Sequence, residues 1–165
     1  MTPEQLQTLK TAVLADQELV AIGRNDTELA RVLNLPSTFY GYRTDLTRAQ
    51  IYRNASPEGT EWDWNVFRQQ SPSEQGAWKE MFMGEDGSNT ADFSRPNVRA
   101  GVDKIFQGTG AVAAQRIHVA NMAKRIATVA EKMLATGNGT AQAPGTFGFE
   151  GIISINDIGE MWNLG

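Results

Sequence analysis

A chain of 165 residues fits one domain and buries enough of itself to fold without a covalent staple. It contains no cysteine, which excludes disulfides, thiolate metal sites and cysteine nucleophiles together and suits a reducing compartment such as bacterial cytoplasm. A net charge of -4 argues against wrapping nucleic acid, and no apolar run reaches the roughly 20 residues that span a bilayer, so a soluble protein without a membrane partner is expected.

The opening MTPEQLQTLK has neither the basic nor the apolar region of a secretory signal. It reads instead as a helix start, with Thr2 as cap, Pro3 in the first turn and Gln5 closing a capping box, followed by Leu6, Leu9, Val13 and Leu14 on one face. Asp16 restarts a short turn through Leu19 and Ile22 that Gly23 ends. Asn25 and Glu28 repeat the capping pattern ahead of Leu29, Val32 and Leu33, and Pro36 prevents continuation. A third short helix is predicted from Thr44 or Asp45, carrying Leu46, Ala49 and Ile51.

Residues 54–65 form a polar loop, followed by the aromatic residues Trp62, Trp64 and Phe67. Ser71-Pro72-Ser73-Glu74 opens a helix through Trp78 and Phe82 that Gly84 closes, and 85–90 is a second polar loop. Pro96 starts a segment with Val98, Val102, Ile105 and Phe106 on one stripe, stopped at Gly108. Thr109 then caps what is predicted to be the longest helix, running to Ala135 and ended by Gly137-Asn138-Gly139. Val112, Val119, Met122, Ile126, Val129 and Met133 give it a heptad-like seam, with His118, Arg125 and Lys132 on a partly exposed flank. Beyond a Gly/Pro-punctuated loop, Phe147, Phe149, Ile152, Ile153 and Ile155 lie around Gly148 and Gly151 as a short hairpin or extended arm, and Asn156 caps a last turn with Ile158, Met161 and Trp162.

The fold class expected is therefore mostly α: a helical bundle around one long helix, with a short β hairpin or extended arm near the C-terminus. Its division is a helical domain at 1–145 and a C-terminal arm at 146–165.

No catalytic constellation emerges. Gly108-Thr109-Gly110-Ala111-Val112-Ala113 fits the glycine pattern of a dinucleotide turn, but the preceding segment has helical spacing where a buried strand is required, so a helix-glycine-helix corner is expected. Glu131 stands at a ribose-contact distance in sequence but inside the predicted helix. His118 is the only histidine, which excludes a multi-histidine metal site within the chain. Glu58, Glu61 and Asp63 lie in a polar loop with nothing to raise a pKa, and Glu85-Asp86-Gly87-Ser88-Asn89 lacks the terminal glutamate of a calcium loop. No cofactor is expected.

What remains is a binding surface. Trp62, Trp64, Trp78 and Trp162 serve either the core or an interface. The stretch 95–132 holds seven Lys/Arg against two Asp/Glu and reads as a solvated helix face or as one that meets an acidic partner or DNA. The arm at 147–165 either folds back on its own helices or adds to a neighbour's sheet.

Four segments, LKTAVLADQELVAIGRNDTELARVLN, SRPNVRAGVDKIFQGTGA, ATVAEKMLATGNGT and TFGFEGIISINDI, together resemble the head-to-tail adaptor (connector) proteins of tailed bacteriophage necks. The resemblance implies a non-enzymatic structural virion protein, made in the host cytoplasm. It would form a ring of sister subunits, twelvefold in that arrangement, dock on the portal protein and give the tail or its stopper an attachment surface near channel DNA. The family has no motif that assigns single residues. Exposure and chemistry nominate Phe147, Phe149, Ile152, Ile153, Ile155, Trp162, Arg116, Arg125 and Lys132 as partner-binding. A tail-completion or capsid-associated protein is the alternative within this class. From another class comes a DNA-binding regulator, in which short helices between Asn25 and Ile51, with Arg43, Arg48 and Arg53, imitate a helix-turn-helix.

Overall fold

A computed structural model of the chain describes residues 1–83 and 88–164. Gly84 as a helix stop, and most of the turn expected at 85–89, lie outside the described residues. The elements in chain order are α1 (Pro3–Ala15), α2 (Gln17–Ile22), α3 (Asp26–Leu33), β1 (Pro36–Tyr42), β2 (Leu46–Thr47), α4 (Arg48–Arg53), α5 (Trp64–Arg68), α6 (Pro72–Glu80), β3 (Thr90–Ala91), α7 (Pro96–Ile105), α8 (Ala111–Met122), β4 (Lys124–Thr128), α9 (Val129–Met133) and α10 (Ile155–Asn163). The chain is mostly α. It divides into two compact units, one of 1–41 with 126–165 and one of 42–125, a different division from a helical body at 1–145 with a separate arm.

The first unit joins the two ends of the chain. Thr2 and Gln5 make the reciprocal capping box that starts α1, and the Asp16 carboxylate accepts from the N–H groups of Glu18 and Leu19 to start α2. Asn25 caps α3, but Glu28 does not reach back; its carboxylate takes two hydrogen bonds from Arg31 instead. Leu6, Leu9 and Val13 of α1, Leu29 and Leu33 of α3, Ala130 of α9 and Ile158 and Met161 of α10 form one buried cluster. Ile153, Ile158 and Met161, all after Thr146, are therefore part of this core.

The second unit is built on aromatic packing. Trp62 and Trp78 stack with ring centroids 5.4 Å apart, and Phe67, Phe82 and Phe106 surround them. Trp78 Nε1 donates to the Tyr52 hydroxyl at 2.8 Å, and burial raises the pKa of that phenol. Strands β2 and β3 pair antiparallel, Leu46 opposite Ala91 and Thr47 opposite Thr90. Strands β1 and β4 are paired neighbours and carry the chain from the first unit to the second and back.

The long helix expected over 109–135 is three elements: α8, β4 and α9. The Thr128 hydroxyl accepts from the Glu131 N–H while the Glu131 carboxylate accepts from the Thr128 N–H, a capping box that starts a new helix where continuation was expected. Ile126 and Thr128, both β-branched, suit the extended backbone between. The seam accordingly serves two cores, Val119 and Met122 in the second unit and Val129 and Met133 in the first.

The helix-turn-helix does not form either, because β1 separates α3 from α4 and the two helices belong to different units. Arg43 pairs with Asp45 at 3.0 Å and holds that carboxyl below the usual range through this hydrogen bond. The third short helix starts later than expected, with Thr47 as its cap.

Candidate interaction surface

Residues 147–154 have neither a helix nor a hairpin partner; the backbone runs extended across the first unit before α10. Three side chains from three helices hold it. Gln5 of α1 donates from Nε2 to the Gly148 carbonyl at 2.7 Å, Glu131 of α9 accepts the Gly151 N–H at 3.1 Å, and Asn34, capping α3, engages Ile153. The Asn34 Oδ1 accepts the Ile153 N–H and its Nδ2 donates to the Ile153 carbonyl. A carboxamide thus takes the place of a neighbouring strand, which satisfies buried main-chain groups with no sheet present.

The nominated residues divide on this scaffold. Phe147, Ile153 and the α10 residues Ile158 and Met161 face inward, and the Phe147 ring lies against Gly41, whose missing side chain makes the room. Phe149 and Trp162 are half-buried against the same core, with the Arg24 guanidinium 5.5 Å from the Trp162 ring centre. Ile152 is 81% exposed on the segment, and Ile155, the first residue of α10, is 52% exposed beside it in sequence. Ser154 caps α10 and its hydroxyl donates to Asp157, which holds that carboxyl below its ordinary value against a smaller opposing effect of burial.

The three nominated cations part company. Arg116, in α8, donates to the Phe106 carbonyl at 2.7 Å and lies 3.9 Å from Asp103; it closes the C-terminal end of α7. Arg125 is half-buried in the second unit. Lys132 alone of the three is in the first unit, and it is exposed. Lys124 pairs with Glu58, Arg95 with Asp92, and Arg99 donates to the carbonyls of Phe93 and Ser94. Much of the basic stretch at 95–132 thus serves the protein's own loops and helix ends.

Lys132 stands beside a shallow trough along β1. One depression of about 540 Å³ is floored by Leu19, Ile22, Val32, Val129 and Met133, with Asp16, Glu18 and Lys132 around it. A second of about 390 Å³ is lined by Phe39, Tyr40, Asn138, Gly139, Thr140 and Ala141; both share Thr38 and Lys132.

The corner at 108–113 joins α7 to α8, as helical spacing before it requires, and Gly110 takes the positive φ of 62° that starts α8. His118 departs from its expected place on an exposed flank. It is fully buried in the second unit, its Nε2 2.9 Å from the Ile51 carbonyl and its Nδ1 3.2 Å from the Thr60 hydroxyl. The 115 and 118 face of α8 packs onto the 51–63 segment, where Gln115 accepts the Asp63 N–H. Among the described residues no group of three or more His, Asp or Glu could hold a metal ion, and no helix is long and apolar enough to cross a membrane.

Comparison with protein-family models, with curated proteins and with solved structures gave no match.

Proposed function

We propose that the chain is a structural assembly protein, a ring-forming head-to-tail adaptor subunit that docks on the portal of a tailed bacteriophage and offers the tail or its stopper an attachment surface. The observation that carries the binding role is the pair of exposed side chains Ile152, on a segment held by Gln5, Asn34 and Glu131, and Ile155, at the start of α10 capped by Ser154. Large apolar side chains held outward on an ordered segment are ready to be buried by a partner without further ordering cost. The choice of portal, sister subunits and tail as partners, and of the virion neck as location, rests on the resemblance of four sequence segments to neck adaptors. Phe147, Ile153 and Ile158 anchor the segment to its own unit, and Ile152 and Ile155 make the contact.

The test is electron microscopy of purified particles with the protein labelled, together with the Ile152→Asp, Ile155→Asp double variant. Label at the portal vertex, lost in the double variant while its melting temperature is unchanged, supports the reading. Complete, infectious particles that contain none of the protein overturn it.

A further inference from the structure

Asn138 is the only asparagine in the chain that a glycine follows. Asparagine is thermally labile, and glycine leaves the main-chain nitrogen beside it unshielded and its backbone free to turn. The fold keeps this glycine in place. Gly139 has a φ of 67°, in the left-handed region, and a Cβ there would fall on the Phe39 ring, so both backbone conformation and space require glycine.

The groups that would react stand free. Asn138 is exposed, and among the described residues neither its carboxamide nor the Gly139 N–H has a hydrogen-bond partner. The hold on the loop lies one group further along, where the Gly139 carbonyl accepts the Tyr40 N–H at 2.7 Å. Other asparagines are restrained: Asn25 and Asn34 bond at the two ends of α3, and Asn121 is buried in α8.

We propose that Asn138 is a modification site, deamidated spontaneously in the folded protein. The Gly139 nitrogen gives its proton to water and attacks the Asn138 Cγ; the new N–C bond closes a succinimide ring, and the bond from Cγ to the amide nitrogen breaks to release ammonia. Water then adds to one of the ring carbonyls. Cleavage of the bond between Cγ and the Gly139 nitrogen leaves aspartate, and cleavage at the main-chain carbonyl leaves isoaspartate. One water is consumed and one ammonia released, with no change of oxidation state.

Either product places a carboxylate in the depression that Asn138 and Lys132 both line beside β1, where the opposite charge favours it. The products differ in the main chain. Isoaspartate adds a methylene to it directly before Gly139, whose carbonyl binds Tyr40 and whose Cα lies under the Phe39 ring, so this form loosens the loop from β1. The inference goes beyond the adaptor reading and depends on no partner.

The test compares the folded protein with the same chain unfolded in guanidinium chloride, both incubated at mildly alkaline pH. Cleavage after Lys132 yields the peptide 133–165, in which Asn156 and Asn163 serve as internal references for Asn138. Mass spectrometry should show conversion at Asn138 ahead of the other two, at a folded-state rate within about tenfold of the unfolded chain, as a loop with low opening free energy allows. Asn138→Gln should abolish it. A folded-state rate below that limit, or conversion at Asn156 or Asn163 first, overturns the proposal. Hydrogen exchange at Tyr40 should accelerate in the isoaspartyl fraction, identified by enzymatic methylation, and not in Asn138→Asp; equal exchange in these two forms overturns the loosening of the loop.

Discussion

Asn34 and Ile153, far apart in sequence, are joined by two hydrogen bonds: the Asn34 Oδ1 accepts the Ile153 N–H at 2.9 Å and the Nδ2 donates to the Ile153 carbonyl at 2.8 Å. The same Nδ2 also donates to the Ala30 carbonyl at 2.8 Å, so one side chain closes the end of α3 and fixes the extended segment. Asn34→Ala leaves these main-chain groups unpaired, and a loss of about 1–3 kcal/mol is expected. Urea denaturation reads the loss, and limited proteolysis should cut earlier within 148–153. Unchanged stability would show that the clamp is dispensable.

Glu131 makes a second clamp from a 2% exposed position, one oxygen accepting from Thr128 and the other from Gly151. In Glu131→Gln one of those oxygens becomes an NH2 group facing an N–H. The expected cost is about 1–3 kcal/mol, and hydrogen exchange at Thr128 and Gly151 should accelerate together.

Gly41 is required by shape and not by backbone conformation, since a Cβ there falls within the Phe147 ring. Gly41→Ala is expected to destabilise by about 1–3 kcal/mol through overpacking. The Gly41→Ala, Phe147→Leu pair should recover part of the loss in thermal melts, because the smaller side chain frees the space.

Asp157 supplies a pH dependence. Its pKa is lowered from the ordinary 3.8, chiefly by the Ser154 hydroxyl, with the Ser154 N–H and the terminal ammonium at 3.2 Å adding to it against the effect of burial. A carboxyl that titrates lower when folded contributes stability above its unfolded pKa, and that contribution is lost as pH falls through the lower folded value. Wild type should therefore exceed Asp157→Asn in stability at neutral pH, with the gap closing below the ordinary 3.8. A gap that stays constant through acid would assign the effect to packing.

Helix starts were legible because they are local. Thr2, Asp16, Asn25 and Ser71 each place an oxygen within three residues of the N–H groups it caps, so the pattern and its partner occupy one short window. The Gly108 to Ala113 corner was legible for the same reason. Thr128 with Glu131 obeyed the identical rule inside an apolar periodicity, and the periodicity hid it. The sequence grouped Phe147, Phe149, Ile152, Ile153 and Ile155 without telling the exposed Ile152 and Ile155 from the buried Phe147 and Ile153, because a two-residue alternation puts Ile153 and Ile155 on one face and only the core separates them.

By itself the sequence determined a mostly α chain, the helix starts at Thr2, Asp16, Asn25 and Ser71 and the glycine corner at 108–113, all of which rest on groups a few residues apart. Only the tertiary structure decided that the seam of 112–133 serves two cores, that His118 is buried against Ile51 and Thr60, and that Asn34 and Glu131 hold the segment carrying Ile152. The reason is separation along the chain: a hydrogen bond between residues 20 to 119 positions apart leaves no periodic trace in either local sequence, so it is fixed only when the whole chain has packed.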